Sequence, residues 1–307
     1  MTPEHNDMVS VIIPVFNAER FVEESLRSAL EQTYAPMEVI VVDDGSTDGT
    51  LDRVRKFADR VEVLRQENAG AFVARNAGAA KAKGAFLAFQ DADDVWEPHK
   101  IERQMEVFRR HPEVDVVATW GAEIDENGRR ISRGLKKPPV VFDEVVDLER
   151  TLLAYGNFVP LSTSVVRRHV FFEAGGFYTR ERIISCDYEL WIRLSERHLF
   201  FVISEPLVQY RVLEHSLLHG SPAKEYGAQL NILNMHRYRF SALGWRARLS
   251  RLYQAWADSA LFEGHQDGWP MLRAALCKNP LNLGAWALGV RVVAGRVLRR
   301  VRRVSPH

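Results

Sequence analysis

Four apolar runs between residues 9 and 90 alternate with segments of helical periodicity: VSVIIPV (Val9 to Val15), MEVIVV (Met37 to Val42), VEVL (Val61 to Leu64) and AFLAFQ (Ala85 to Gln90). That alternation leaves few folds open. Runs that are apolar throughout, not at every second residue, are strands of a sheet covered on both faces, and strands separated by helices build a parallel sheet with right-handed crossovers. Pro14 fits only at the very end of the first strand, where its missing N–H is tolerated. Between the first two strands, Glu19 to Gln32 places Val22, Leu26, Ala29 and Leu30 on one helical face, with acids in the first turn to suit the helix dipole. A helix carrying Leu51, Val54, Phe57 and Ala58 follows the second strand. After the third, Asn68 to Gly70 turns into an alanine-rich helix over Ala71 to Lys83, which Gly84 is expected to close as its C-terminal cap.

A parallel sheet opens the loops after strands one, two and four on one edge, the edge where α/β proteins bind ligands. On it the sequence delivers Asn17, then Asp43 and Asp44, then Asp91, Asp93 and Asp94. Two carboxylates two residues apart, crowded where their charges repel, form a natural grip for a hard divalent cation. An acidic turn capping the next helix has the same composition, so the triplet alone leaves both readings open. The three-glycine dinucleotide fingerprint and the phosphate loop ending in Gly-Lys-Ser/Thr are both missing from the first turns, which argues against dehydrogenase and ATPase chemistry.

The chain of 307 residues, 46% hydrophobic, has room for one large α/β domain and a smaller appendage. Its net charge of +1 hides a basic end: Arg291, Arg296, Arg299, Arg300, Arg302 and Arg303 stand with no acid among them. Cys186 and Cys277 lack metal-ligand spacing and fit a reducing compartment. The first residues, MTPEHNDMVSV, contain no apolar stretch of signal-peptide length, so the expectation is a cytoplasmic protein.

The residues also carry a resemblance. VSVIIPVFN (Val9 to Asn17), VVDDGSTDGT (Val41 to Thr50), ENAGAFVARNAG (Glu67 to Gly78) and GAFLAFQDADDVWEPHKIERQ (Gly84 to Gln104), in that order, are similar to a family 2 glycosyltransferase of the GT-A fold. GGF (Gly175 to Phe177), DYELWIRL (Asp187 to Leu194) and YR (Tyr210 and Arg211) extend the likeness, which covers roughly residues 8 to 215. It implies a Rossmann-like, mostly parallel sheet flanked by helices, with a GT-A domain over 1–225 (nucleotide-sugar half 8–120, acceptor half 121–225). A helical C-terminal extension occupies 226–307. The implied activity is an inverting transferase of hexosyl type that uses Mn²⁺ or Mg²⁺ and moves a sugar from a nucleoside diphosphate, UDP in the first instance, to an acceptor hydroxyl. The implied setting is bacterial-type surface polysaccharide or glycolipid synthesis, with a saccharide or lipid-linked acceptor and no nucleic acid.

Position by position, the resemblance implies that Pro14, Phe16 and Asn17 line the nucleotide pocket, that Asp44 reads the base, that Arg75 faces the diphosphate, and that Asp91 contacts ribose or sugar. Asp93 is implied as the metal ligand, while Asp94 and Trp96 read as structural. Such chemistry needs a cation to stabilise the departing diphosphate and a carboxylate to take the acceptor's proton. Asp187 matches the base. Its other reading is the N-cap of a helix over 188–197, with Glu189 as fallback base. Two departures from the pattern stand out: Cys186 where glutamate is common, and Leu213 where many relatives have a metal-associated histidine. His215 is the substitute ligand, with His219 following. An enzymatically inactive sugar-nucleotide-binding module remains the first alternative function. A sugar nucleotidyltransferase is the second, although Phe16, Asn17 and Ala18 supply no glycine-rich phosphate loop.

Elsewhere, Glu126, Asn127 and Gly128 signal a hairpin and Lys136 to Val140 a proline-rich loop. Pro160 to Val166 reads as a strand, with Ser162 and Thr163 near the acceptor by the same resemblance. Beyond Tyr226, Tyr253, Trp256, Ala257, Ala260 and Leu261 share a helical face, and Trp269 to Cys277 begins another helix. Leu281 to Val304 mixes apolar residues with arginines too densely for a spanning helix. It reads either as a basic amphipathic helix in peripheral contact with the inner face of the cell membrane or as a packed helix with a solvated basic end.

Overall fold

The apolar runs are strands in the computed structural model, which describes residues 7–131, 141–179, 185–213, 222–263, 265 and 267–292. In chain order the first elements are β1 (Val9–Val15), α1 (Val22–Leu30), β2 (Met37–Asp43), α2 (Thr50–Arg55), β3 (Glu62–Arg65), α3 (Ala71–Lys81), β4 (Phe86–Phe89), β5 (Val95–Trp96) and α4 (Lys100–Arg110). Then come β6 (Val114–Ile124), β7 (Val145–Val146), α5 (Glu149–Tyr155), β8 (Ser164–Arg167), α6 (Arg168–Glu173), α7 (Cys186–Leu194) and β9 (Leu199–Arg211). The strands form one sheet in the order β3-β2-β1-β4-β8-β6-β9-β5, with β7 on β9. β1, β2, β3 and β4 are mutually parallel, as the crossovers require. β8 runs antiparallel between β4 and β6, so the sheet is mixed in its second half.

Register explains Pro14. Ile12 O accepts from Gln90 N at 3.1 Å, so the even residues of β1 turn their backbone groups toward β4, and β4 pairs only as far as Ile12. The missing donor of Pro14 therefore faces a place where no ladder continues. One face of the sheet, with Val9, Val11, Ile13 and Val15 of β1, packs against Val22, Leu26 and Ala29 of α1 and Ile101, Met105 and Phe108 of α4. α3 covers the other face so closely that a Cβ on Gly78 would sit 2.6 Å from Ile12 Cγ2.

Gly84 has a different role from the expected one. α3 ends at Lys81 with Ala82 as its C-cap, and a Cβ on Gly84 would lie 2.5 Å from Met8 O, so this glycine permits close approach to β1 and caps no helix. The hairpin at 126–128 forms, with Gly128 at φ 78° donating to Asp125 O at 3.1 Å. Pro160 to Val166 is a strand only from Ser164, because 161–163 turn as a 3-10 helix.

The chain divides into two units, one of residues up to 152 with 156–213, the other of 153–155 with 214–307. The second is helical: α8 (Pro222–Met235), α9 (Ala242–Glu263), α10 (Gly268–Lys278) and α11 (283–292). Ala257 of α9, Leu272 and Ala275 of α10, and Ala285 and Leu288 of α11 form its core. Ser250 Oγ donates to Ala275 O at 2.7 Å, and Trp256 Nε1 to Asp267 Oδ2 at 2.8 Å. No helix among the described residues is long and apolar enough to cross a membrane. His215, His219, the loop 136–140 and the tail from 293 onward lie outside the described residues.

Candidate active site

The sheet edge is built by lacing the loop after β1 to the loop after β2. Asn17 sits at φ 48°, a conformation asparagine tolerates, and its Oδ1 accepts from Thr47 N at 2.9 Å while its own N–H donates to Ser46 Oγ at 3.1 Å. Ala18 N donates to Thr50 Oγ1 at 2.7 Å, and Asp44 N to Val15 O at 2.8 Å. Phe16 is left 48% exposed beside this lattice, whereas Pro14 is buried within β1. A hollow of about 530 Å³ lined by Asn17, Glu19, Arg20, Glu23, Asp48 and Arg53 opens next to it, but its arginines are already paired, Arg53 with both Glu19 and Glu23 and Arg20 with Glu126.

Asp44 is buried, and its carboxylate organises the entry to α3. Oδ1 accepts from Gln66 Nε2 at 2.7 Å and Ala69 N at 2.9 Å, and Oδ2 from Gly70 N at 2.8 Å. These contacts fill three of the roughly four lone-pair sites that a carboxylate offers, the fourth being on Oδ2. Arg75 is no surface residue: it is 5% exposed, stacks on the Phe72 ring at 4.8 Å and pairs through Nη2 with Asp91 Oδ1. Its Nε is buried without an acceptor among the described residues.

The Asp91–Asp94 turn is pinned from three sides. Asp91 N donates to Ser162 Oγ at 2.9 Å, and Ser25 Oγ donates to Asp91 O at 3.0 Å. Arg211 closes the third side, donating from N to Asp94 Oδ1 at 2.9 Å and from Nε to Asp93 O at 2.8 Å, with Nη2 on Glu24 at 2.7 Å. Burial, then the neighbouring Asp91 charge, pushes the Asp93 carboxyl up to about 6. Asp94 is buried, and burial with the charges of Asp91 and Asp93 raises it well above the ordinary carboxylate range. Tyr210 feels the same field: burial and then Asp94, Asp91, Asp93 and Asp187 hold its phenol protonated, well above its usual pKa.

Asp187 does not cap a helix over 188–197. α7 begins at Cys186, and its N-cap is Ser185 at φ 73°. The carboxylate therefore stands in the first turn, and Asn157 Nδ2 donates to its Oδ2 at 2.8 Å. Asn157 is itself oriented by Val159 N, which donates to Asn157 Oδ1 at 3.1 Å and fixes which end of the amide faces Asp187. Burial raises the Asp187 pKa, opposed by the Tyr188 amide, Asn157 and Arg75, and reinforced by Asp91. Glu189 is unsuited to serve as the alternative base: it is 2% exposed and gripped by Arg193 through two contacts of 2.7 and 2.6 Å. Cys186 is a buried thiol that donates to Tyr178 O at 3.3 Å and is pushed up to about 12 by burial and then by Asp187, so it is no nucleophile. Ser162 and Thr163 are each 1% exposed, Ser162 Oγ accepting from Asp91 N and Thr163 Oγ1 donating to Pro160 O at 2.6 Å.

The edge thus gathers Asp91, Asp93, Asp94 and Asp187 around Arg75 and Arg211, an excess of negative charge. Among the described residues no three His, Cys, Asp or Glu side chains form a complete metal cage. A magnesium- or manganese-type ion needs less, commonly one or two carboxylates with the remaining positions filled by water and phosphate oxygens. Asp93, a hard oxygen donor whose carboxyl is raised by burial and then by Asp91, fits that requirement. Asn157, and Ser162 as a pin for Asp91, went unrecognised in their sequence context. Asn157 follows Gly156, which adopts φ 98°, and this turn signal marks the bend without revealing the partner thirty residues on.

The chain belongs to glycosyl transferase family 2, whose family model matches residues 10–171. Its fold is of the GT-A type. It is 42% identical over 241 residues to the UDP-Glc:alpha-D-GlcNAc-diphosphoundecaprenol beta-1,3-glucosyltransferase WfgD of Escherichia coli, covering 74% of this chain and 85% of that one. Among solved structures it resembles S. aureus TarS 1-349 in complex with UDP-GlcNAc, with a TM-score of 0.58, 22% identity and 81% of each chain covered. It also resembles the mannosyltransferase PcManGT from Pyrobaculum calidifontis in complex with GDP-Man and Mn²⁺, with a TM-score of 0.53, 18% identity, and 94% of this chain and 75% of that one covered. The chain spans 51% and 66% of the length of two other curated glycosyltransferases that it matches.

Proposed function

We propose that this chain is an inverting, divalent-metal-dependent transferase that moves a hexosyl group from a UDP-sugar to a hydroxyl of a lipid-linked saccharide. The observation that carries the proposal is the convergence of Asp93, the Arg75–Asp91 pair and Asp187 at the carboxyl edge of one sheet. WfgD supports the donor and acceptor classes through its name, and the Mn²⁺ of PcManGT supports the cation. A membrane surface is where such an acceptor resides.

Under this reading Phe16 offers an exposed ring face for the base, and the remaining Asp44 lone pair accepts its N–H. Asp93 holds the cation, which when bound neutralises charge on the diphosphate. Arg75, tethered by Asp91, adds positive charge beside the phosphates. Asp187 takes the acceptor proton as the hydroxyl attacks the anomeric carbon opposite the departing diphosphate, and a single displacement of that kind inverts the centre.

Asn157 is then a positioning residue. Its N–H stabilises the ionised form of Asp187, so Asn157→Ala should raise the base's pKa further. The base works only when ionised, hence the acid limb of kcat/KM should move to higher pH, with activity at high pH recovering toward wild type. An unshifted limb would mean that the pair is merely structural. The proposal as a whole is tested by incubating the full chain with a panel of nucleotide sugars, with and without Mn²⁺, and measuring release of nucleoside diphosphate. Metal-dependent turnover of a UDP-sugar is the expected result. Tight binding without turnover of any donor would leave only a sugar-nucleotide-binding module.

A further inference from the structure

α11 has two apolar faces, and its own unit covers one of them. Ala285 and Leu288 are buried, and Val292 packs beside them in the cluster with Ala257, Leu272 and Ala275. At about 100° per residue, Leu283, Trp286 and Val290 fall on the opposite side. There they are 79%, 56% and 68% exposed, with Leu281 84% exposed just before them. A helix that is apolar all round is ordinarily covered all round.

The sequence indicates what covers this one. Arg291 is 69% exposed even while paired with Asp258, and Arg296, Arg299, Arg300, Arg302 and Arg303 follow with no acid from 291 to 307. An outward indole and aliphatic side chains, followed in the sequence by a run of arginines, match the headgroup region of an anionic bilayer, where the indole sits at the interface and guanidinium groups meet phosphates. A second copy docked on the same face would bring two arginine runs together, which repulsion opposes.

We propose that the outer face of α11, formed by Leu283, Trp286 and Val290, seats the chain on an anionic membrane surface, with Arg291 to Arg303 supplying the attraction. The surface stands or falls independently of the transferase reading, because vesicle binding needs no sugar transfer.

The test is cosedimentation of the full chain with phosphatidylglycerol/phosphatidylcholine vesicles and with pure phosphatidylcholine vesicles. The wild type should bind the anionic vesicles and be released toward 1 M salt, where the Debye length is about 3 Å. Leu283→Ser/Trp286→Ser/Val290→Ser alters largely exposed side chains and removes one hydrogen bond, Trp286 Nε1 to Pro280 O at 2.9 Å, so it should melt close to wild type while binding anionic vesicles about tenfold or more weakly. Trp286→Ala, a smaller change, should weaken binding in the same direction if the triple variant is poorly folded. Undiminished binding by a folded variant, or no wild-type binding, overturns the proposal. A wild-type dimer in sedimentation velocity that the triple variant dissolves, without vesicle binding by either, assigns the face to a second copy and overturns it equally.

Discussion

Asp187→Asn should fold, bind the donor within about twofold of wild type, and transfer sugar at least about two orders of magnitude more slowly, the scale of a lost general base. That loss is about 2.7 kcal/mol of transition-state stabilisation. The amide matches the carboxylate in shape and still offers an oxygen to Asn157 Nδ2, but it cannot accept the hydroxyl proton. Stability provides the control. Burial raises the Asp187 pKa, so above that raised value the folded chain keeps a charge that the unfolded chain carries more easily. Replacing it with a neutral group removes a cost present at pH 7, and the variant should melt no earlier than wild type. An earlier melt with proportionate loss of donor binding would make Asp187 a structural residue.

The first half of the fold was legible because its determinants are local. Continuous apolar strands, helical spacing in α1 and the polar turns that follow β1, β2 and β4 all declare themselves within a window of a dozen residues. What stayed hidden depends on partners far apart in sequence. Asp91 N meets Ser162 Oγ 71 residues on, and Arg211 N meets Asp94 117 residues back. Nothing near Glu189 announces that Arg193, one turn later, also reaches Gly176 O at 2.8 Å and so is fixed as its clamp. Gly84 reads locally as a helix stop, and only the sheet register shows that it makes room for Met8. Asp187 at a helix start was visible, but Ser185 in a left-handed conformation moved that start two residues earlier than the pattern placed it.

Asp93→Asn should abolish the metal-dependent part of nucleotide binding. Asp93 is buried and crowded by Asp91, which together raise it to about 6, so at pH 7 it is mostly ionised in a site where its charge is unwelcome until a cation arrives. Exchange for an amide removes that charge and leaves a weaker, neutral oxygen toward a hard ion. It also removes the repulsion of Asp91, so the variant should melt at or above the wild-type temperature. Loss of binding can then be separated from loss of fold. In titration calorimetry with UDP, Mn²⁺ should strengthen wild-type binding by about tenfold or more and the variant's hardly at all, the loss of roughly 1.4 kcal/mol of coupling between ion and nucleotide. Binding without metal should be similar in the two proteins, because Arg75, Asp44 and Phe16 are untouched. If the variant kept the full Mn²⁺ increment, the cation would be held by other groups, and the Asp91–Asp94 turn would return to the other role its composition allows, an acidic bend whose backbone is fixed by Ser25, Ser162 and Arg211.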